Sequence, residues 1–168
     1  MDKIIANPSL SLFQKILLTT DGSITELLSL YTNQSIQAKV IFQSIEKGKL
    51  PGDSSSQSKD STLLNREVML TDSSKNYIFA ESSFLINKLS KTMKHKLLHT
   101  ETPIGLLWKE ERLEIFKEVI DIRLEKCETT ASHFGLEPNT EILSRTYQLY
   151  NSKELFGVIT EKFPTIIF

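Results

Sequence analysis

Several signatures of specialised function are missing from this sequence of 168 residues. Its one cysteine, Cys127, excludes an intrachain disulfide framework and a cluster of thiolate metal ligands. The formal net charge is only -1, whereas nucleic-acid binders usually carry a basic excess. No run approaches the roughly 18 apolar residues of a membrane span, and the N-terminus lacks the basic and then apolar pattern of a secretion signal. We therefore expect a protein without nucleic-acid or membrane partners that stays where it is made.

Short catalytic motifs are missing as well. The sequence contains no phosphate-binding loop, no dinucleotide fingerprint and no Gly-x-Ser-x-Gly nucleophile elbow. Its length predicts one domain over residues 1–168, with a core large enough to enclose a ligand. Residues 47–61 are polar and rich in turn formers, which predicts a flexible surface loop within that domain.

The N-terminal half shows patterns of both helix and strand. Apolar residues at helical spacing over residues 10–17 predict a helix. Ser23 and Glu26 have the spacing of a capping box, which predicts the start of a second helix. Alternation of apolar and polar residues from Ile36 predicts a strand. Residues 84–98 are compatible with a further helix.

Two hairpins and one ambiguous segment complete the pattern. Residues 63–84 and 141–163 each contain two strand-like runs around a short polar turn, which predicts antiparallel hairpins. Residues 111–127 contain one set of apolar residues at helical spacing and another that alternates with charged residues. Periodicity does not decide between helix and strand there. Strand pairs with grouped helices predict an α+β domain around an antiparallel sheet.

Two charged residues interrupt apolar strand segments. Glu161 lies in the run VITEKFP, and Arg66 lies between Leu64 and Val68. Each side chain could simply reach solvent, Glu161 from the outer face of an edge strand and Arg66 by extending along apolar surface. Each could instead point into a pocket, where Glu161 would bond a ligand hydroxyl and Arg66 would hold a ligand carboxylate through two N–H groups. The alternation leaves both interpretations open.

Three further groups have simpler interpretations. His95 and His99 could share a helix face, but a metal site needs a third ligand, so a solvated helix is preferred. The basic run in residues 88–96 lacks interleaved aromatic residues, which favours a solvated face over a nucleic-acid site. Cys127 and His133 are close in sequence, but that does not predict a nucleophile with its base.

Four segments in order resemble the chorismate lyase family, including its cyanobacterial members and the plastid-encoded reading frames of algae. They are ILLTTDGSITELL, LNREVMLTDSSKNYIFAES, TPIGLL and ILSRTYQLYNSKELFGVITEKFP, and the likeness runs from Leu17 to Pro164. The resemblance implies a central antiparallel sheet of about six strands, with helices covering a buried ligand site. It implies cleavage of chorismate into 4-hydroxybenzoate and pyruvate without a metal or an organic cofactor. It also favours a strand for residues 116–125.

The resemblance carries over particular site residues. The arginine that holds the ring carboxylate falls on Arg66, and the glutamate near the ring hydroxyl falls on Glu161. These two are the predicted catalytic residues. The backbone that lines the site falls on a Pro-hydrophobic-Gly-hydrophobic turn, which consists of Pro103, Ile104, Gly105 and Leu106.

The chemistry of chorismate explains these residue types. The substrate bears two carboxylates, so at least one fixed cation is needed, and Arg66 would provide it. Arg145 is the basic residue that the second hairpin offers for the other carboxylate. Catalysis would come from folding the substrate into its reactive conformer and stabilising charge as the ether bond breaks. Glu161 would hold the C4 hydroxyl, donating as well as accepting, and Gly105 would let the backbone approach the ligand closely.

The leading hypothesis is a lyase that makes 4-hydroxybenzoate for quinone biosynthesis, as a monomer, in a plastid or a bacterial cytoplasm. The same fold resembles the effector-sensing domain of some bacterial repressors, so a noncatalytic module that binds an aromatic acid is the alternative. The segment before residue 17 is too short for a helix-turn-helix, which favours the enzyme. A relative that acts on another chorismate-derived acid is a third interpretation, since such a pocket does not name its substrate.

Overall fold

The computed structural model describes residues 1–52, 61–72 and 74–168. Within these ranges the chain forms six α-helices, six β-strands and two short 3₁₀ turns. The helices are α1 (Asp2–Ile5), α2 (Leu12–Thr19), α3 (Ile24–Thr32), α4 (Lys91–His99), α5 (Ile104–Glu110) and α6 (Glu128–His133). The strands are β1 (Gln37–Gly48), β2 (Ser61–Thr71), β3 (Asn76–Leu85), β4 (Ile115–Lys126), β5 (Glu141–Asn151) and β6 (Glu154–Pro164). The 3₁₀ turns are Ile86–Lys88 and Thr165–Ile167.

All six strands form one antiparallel sheet in the order β1-β2-β3-β6-β5-β4. Each half of the chain contributes a three-stranded meander, and the pairing of β3 with β6 joins the two at the centre. The predicted α+β fold with a six-stranded antiparallel sheet is confirmed. No helix in the described ranges combines the length and the apolar character needed to cross a membrane.

The ambiguous segment is the edge strand β4, as the family resemblance implied. A bulge between Val119 and Asp121 shifts its register against β5, and Ile120, at the bulge, is largely exposed. The opposite edge strand β1 has a matching bulge between Val40 and Phe42. Bulges at sheet edges disrupt the regular array of unpaired backbone groups and so disfavour edge-to-edge association. The β4 bulge also interrupts the alternation of apolar and charged residues in this strand.

Two boundary predictions differ from the structure. The predicted helix over residues 84–98 is wrong in its first part, because β3 continues through Leu85 and α4 begins only at Lys91. Ser90 caps that helix, since its hydroxyl accepts a hydrogen bond from the Met93 N–H at 3.0 Å. The predicted loop over residues 47–61 starts two residues too early, because β1 extends to Gly48. Residues 53–60 of that loop lie outside the described part of the chain.

Helices cover one face of the sheet in two groups. Helices α2 and α3 pack over one part of that face and form the first apolar cluster with the sheet. Helices α4 and α5 pack over a neighbouring part and form the second. The opposite face carries polar pairs such as Lys162 with Glu81 at 2.6 Å and Thr146 with Thr160 at 2.9 Å. The functional residues should therefore be sought beneath the helices, between the two clusters.

Gly157 is tightly packed at the centre of the sheet. It pairs across β3 and β6 with Phe84, which is fully buried. A Cβ at position 157 would lie 2.6 Å from the Phe84 ring and 3.2 Å from the Ser83 carbonyl oxygen. We expect Gly157→Ala to lower the free energy of unfolding by about 1–3 kcal/mol, because overpacking forces the ring and the backbone to move. Urea unfolding measures this loss.

Gly48→Ala is the matched control for that prediction. A Cβ at position 48 meets only a Leu63 methyl at 3.3 Å, at the end of an edge strand. This contact involves only the end of one flexible side chain and no backbone atom, so the control should cost much less. Equal losses from the two substitutions would show that a general effect of alanine in strands, and not the Phe84 ring, accounts for the result.

Candidate functional site

A cavity lies between the sheet and the two helical groups. Each of the six strands contributes at least one lining side chain, and the first residues of α3 and α5 close it from above. Its volume is about 70 Å³, and one water molecule needs about 10–15 Å³ on this scale. The walls are largely apolar and include Val68, Leu70, Phe84, Trp108 and Ile159. Such an apolar enclosure with a few convergent polar groups is typical of a small-molecule site.

The strand register turns four ionisable side chains toward this face. Arg66 lies on β2, Glu161 on β6, Arg145 on β5 and Lys117 on β4. The pairings Val68↔Ala80, Ala80↔Glu161 and Glu161↔Arg145 form one row across the sheet. Side chains in one row share a face because strand residues alternate in direction. Charged residues therefore lie among apolar neighbours.

Glu161 is held by two donors from β5. The Arg145 Nε donates to one carboxylate oxygen at 2.7 Å, and the Tyr147 hydroxyl donates to the other at 3.0 Å. The residues are deeply buried, with exposed fractions of 7% for Glu161 and 1% for Arg145. Arg145 Nη1 also donates to the Thr20 carbonyl oxygen at 2.7 Å, which ties the turn between α2 and α3 to the sheet. Glu161 thus faces the cavity, and the edge-strand alternative considered for it does not apply.

The environment fixes the protonation of the two donors. Burial raises the pKa of Tyr147 well above its ordinary value, and the nearby charge of Glu161 adds to this effect. Burial lowers the pKa of Arg145, but Glu161 and Tyr147 outweigh that effect and raise it overall. Tyr147 therefore keeps its proton, and Arg145 keeps its charge. Both act as donors to Glu161 at any working pH.

Arg66 approaches the cavity from β2, on the other side of the central strand pair. Its Nε donates to the Gln43 side-chain oxygen at 3.1 Å, and its Nη2 donates to the Thr100 carbonyl oxygen at 3.4 Å. Burial lowers the pKa of Arg66, and Glu101 opposes this effect. Within the described residues these bonds use two of the five guanidinium N–H groups. The remaining ones are available to a bound carboxylate.

The predicted lining turn is only partly at the cavity. Among the described residues, the lining includes Pro103, Ile104 and Gly105 but not Leu106, which is half-buried elsewhere in α5. A Cβ on Gly105 would lie 3.4 Å from the Ser23 hydroxyl, an ordinary contact distance. Packing against Ser23 therefore does not require glycine. Close approach of a ligand to Gly105 stays a prediction.

Three residues at the cavity were not predicted from the sequence. Lys117 and Tyr147 line the cavity, and Trp108 lies beside them. The Lys117 Nζ is 5.5 Å from the centroid of each of these two rings and donates to the Gly22 carbonyl oxygen at 2.8 Å. A usable signal existed, because Lys117 lies two residues from both Ile115 and Val119, so alternation along a strand turns the three side chains to one face. That is the pattern by which Arg66 and Glu161 were found.

Burial also affects the Lys117 ammonium. Burial lowers the pKa of Lys117 below its ordinary value, while the charge of Glu161 raises it. The charge of Arg145 lowers it further, and Asp21 raises it. The charges of Glu161 and Arg145 therefore both influence the pKa of Lys117. The cavity has a cation on each side of the central carboxylate.

The other predicted groups lie apart from the cavity. His95 and His99 are exposed on α4 with ring centroids 4.8 Å apart. The described residues contain no group of three or more possible metal ligands. His133 stacks on Phe79 at 4.3 Å, while the Cys127 thiol contacts the hydroxyls of Thr129 and Thr130.

Solved structures share this architecture. The effector domain of PhnF from Mycobacterium smegmatis has a TM-score of 0.63 and 12% identity, over 87% of this chain and 90% of that one. The longer PhnF chain has a TM-score of 0.64 and 11% identity, over 86% of this chain, which spans only 64% of its length. The gene product SA0254 from Staphylococcus aureus has a TM-score of 0.62 and 14% identity, over 86% and 88%. The protein therefore shares its α+β fold with the effector domain of PhnF and with the ligand-binding domain of a GntR-family transcriptional regulator from Bordetella bronchiseptica.

Sequence comparison identifies the family within that fold. The model for the family described as chorismate pyruvate-lyase Rv2949c-like matches residues 18–167. The chain belongs to this family. A chorismate pyruvate-lyase from Mycobacterium leprae is 24% identical over 159 residues, which cover 92% of this chain and 75% of that protein.

Proposed function

We propose that the protein is a chorismate pyruvate-lyase, which converts chorismate into 4-hydroxybenzoate and pyruvate. One observation carries the proposal beyond family membership. A buried guanidinium, Arg66, and a buried carboxylate, Glu161, face one small cavity with apolar walls between them. This arrangement matches the two ends of 4-hydroxybenzoate, which has a carboxylate and a hydroxyl across an apolar ring. Arg66 binds the ring carboxylate, and Glu161 accepts from the hydroxyl.

The reaction needs little covalent chemistry from the protein. The C3–O ether bond breaks, the hydrogen at C4 passes to the enolpyruvyl methylene, and the ring becomes aromatic as pyruvate leaves. All atoms and electrons are accounted for without a co-reactant. The protein contributes by holding the substrate in the conformer that brings the methylene over C4 and by stabilising charge at the breaking bond. The largely apolar walls of the cavity favour both.

Glu161 is suited to orient the C4 hydroxyl. A carboxylate has about four acceptor positions, and Arg145 and Tyr147 use two of them. The remaining lone pairs are available to the substrate. Because two donors fix the carboxylate, its direction is set before the substrate arrives, which lowers the ordering needed to reach the transition state.

Glu161→Gln tests that role. The amide retains the shape of the side chain but loses the charge and replaces one acceptor by a donor that faces Arg145 or Tyr147. We expect kcat to fall by roughly 100-fold, the scale of losing one preorganised electrostatic contact, with a much smaller change in KM. Steady-state kinetics with chorismate measure the split. Unchanged turnover in this variant would remove Glu161 from the mechanism.

The first test of the function is direct. Purified protein is incubated with chorismate, and 4-hydroxybenzoate and pyruvate are followed by chromatography, with Arg66→Ala as the control for spontaneous breakdown. Equimolar products that disappear in the variant support the lyase.

The proposed product would enter quinone biosynthesis. Two expectations from the sequence stay predictions: the location in a plastid or a bacterial cytoplasm, and the monomeric state.

A noncatalytic aromatic-acid-binding module is the second candidate. The observation that favours it is the fold shared with the effector domains of regulators. Saturable binding of 4-hydroxybenzoate by isothermal titration, with no product from chorismate, would support the module and contradict the lyase. Binding without turnover could also reflect a different chorismate-derived substrate, which a panel of such acids tests.

A further inference from the structure

Lys117 is a second cation at the cavity, far from Arg66 along the sheet. Strands β3, β6 and β5 separate β2 from β4, so the two backbones are roughly 19 Å apart at the usual strand spacing. Both side chains extend from these distant strands to line the same cavity. A ligand that bridges them must present negative charge at two separate places.

The Lys117 ammonium has unused donor capacity. Its bond to the Gly22 carbonyl oxygen at 2.8 Å uses one of three ammonium hydrogens. The rings of Trp108 and Tyr147 flank it at 5.5 Å and provide no conventional acceptor along their faces. Within the described part of the chain, no carboxylate forms an ion pair with Lys117. A half-buried ammonium in this position is suited to an anionic group brought by the ligand.

A second, independent observation concerns Trp108. It lines the same cavity with an exposed fraction of only 7%. Its indole N–H is buried and has no hydrogen-bond partner among the described residues. Buried donors are nearly always satisfied in folded proteins, and an orphan is costly unless a ligand or water completes it. The indole donor and the ammonium belong to neighbouring side chains, so one acceptor group could satisfy both.

The placement favours Lys117 over Arg145 for this role. The sequence pattern offered Arg145 as the basic residue for the second carboxylate. In the structure Arg145 is paired with Glu161 and Thr20, and it is not among the described residues that line the cavity. Its Nη2 lacks a partner among those residues, but Lys117 is the residue that reaches the cavity itself.

We propose that Lys117 and the indole N–H of Trp108 form a second anion subsite, which binds the enolpyruvyl carboxylate of chorismate. The inference rests on the proposed function and names the group that binds the half of the substrate lost as pyruvate. Arg66 and Lys117 then hold the two carboxylates from opposite sides, and Glu161 lies between them at the C4 hydroxyl. Fixing both carboxylates restricts the rotation of the enolpyruvyl arm, which is the ordering that the hydrogen transfer to its methylene requires.

Two ligands separate this subsite from the ring site. Chorismate carries both carboxylates, whereas 4-hydroxybenzoate carries only the ring carboxylate. Lys117→Met should lower kcat/KM for chorismate by roughly 10- to 100-fold, the scale of a lost charge-assisted hydrogen bond. Its affinity for 4-hydroxybenzoate, measured by isothermal titration, should stay within about two-fold of wild type, because that ligand does not reach the subsite.

Companion variants test the individual groups. Lys117→Arg retains the cation and should recover most of the kcat/KM. Trp108→Phe retains a ring but removes the N–H donor, and it should lower kcat/KM several-fold without changing the affinity for 4-hydroxybenzoate. Lys126→Met removes the same charge from an exposed position on the same strand and should leave both quantities unchanged.

The outcomes separate the inference from the proposed function. If the wild-type protein converts chorismate and Lys117→Met has the same kcat/KM, the subsite is overturned and the lyase stands. Equal losses for chorismate and 4-hydroxybenzoate would also overturn it, because they would assign Lys117 to holding the Gly22 turn. If the wild-type protein does not convert chorismate, the lyase is contradicted. If that protein still binds chorismate, a selective loss of chorismate affinity in Lys117→Met supports the subsite. Wild-type protein that binds neither ligand overturns both.

Discussion

Replacing Arg66 with alanine should weaken the binding of 4-hydroxybenzoate by about 2–5 kcal/mol, the scale for truncating one partner of a buried charge pair. The guanidinium lies at the cavity with an exposed fraction of 4%, and no other described arginine lines that cavity. A carboxylate that enters without it would be buried with no cation at that end. Isothermal titration measures the loss, and Arg123→Ala, an exposed arginine on β4, is the matched control.

The same substitution should change stability little. In the free protein Arg66 makes one ordinary bond at 3.1 Å and one long bond at 3.4 Å, which offset only part of the cost of burying its charge. The melting temperature of the ligand-free variant should therefore stay close to that of wild type. A large loss of stability with intact binding of 4-hydroxybenzoate would show that Arg66 is a structural residue.

Arg145→Ala should lower the free energy of unfolding more than Arg66→Ala does. It leaves the Glu161 carboxylate buried with only the Tyr147 hydroxyl as a donor and leaves the Thr20 carbonyl oxygen without its guanidinium. Removing one partner of a buried ion pair typically costs about 3–5 kcal/mol. Urea unfolding should show that loss in the free energy of unfolding.

A double substitution distinguishes charge from packing at this pair. Arg145→Met with Glu161→Leu replaces both partners by apolar groups of similar volume. Such replacements are often neutral or stabilising, so the double variant should regain most of the stability that Arg145→Ala loses, and it should lack turnover. A double variant as unstable as Arg145→Ala would mean that the bond to Thr20, and not the unpaired carboxylate, accounts for the loss.

The strands of the sheet were largely predictable because their signals are local. Two hairpins followed from alternation and turn residues, and the structure places them at β2–β3 and β5–β6. The β4 segment was not decided by periodicity, because the bulge at Val119 and Asp121 interrupts the alternation. Resemblance to a family decided it correctly. The start of α4 was predicted too early because the pattern does not show where a buried strand ends.

The candidate site was predictable in part for the same reason. Arg66 and Glu161 stood out as charges that interrupt apolar strand segments, and Lys117, between Ile115 and Val119, carried a similar signal without being recognised. Trp108 gave no local signal, because an aromatic residue on a short helix most often belongs to the core. Its proposed role depends on an indole N–H without a partner among the described residues, which only the tertiary structure reveals.

The sequence by itself determined which side chains share a face, since alternation along a strand is a property of the local backbone. It placed Arg66 and Glu161 among apolar neighbours on their strands but left open whether each side chain reaches solvent or a pocket. Only the tertiary structure decided which of these charges meet. The pairing of β3 with β6 joins two halves that are distant along the chain, and the β5–β6 register sets Arg145 opposite Glu161. Arg145 is therefore used to hold Glu161, and Lys117 is left to face the cavity, because register and long-range packing depend on the whole chain at once.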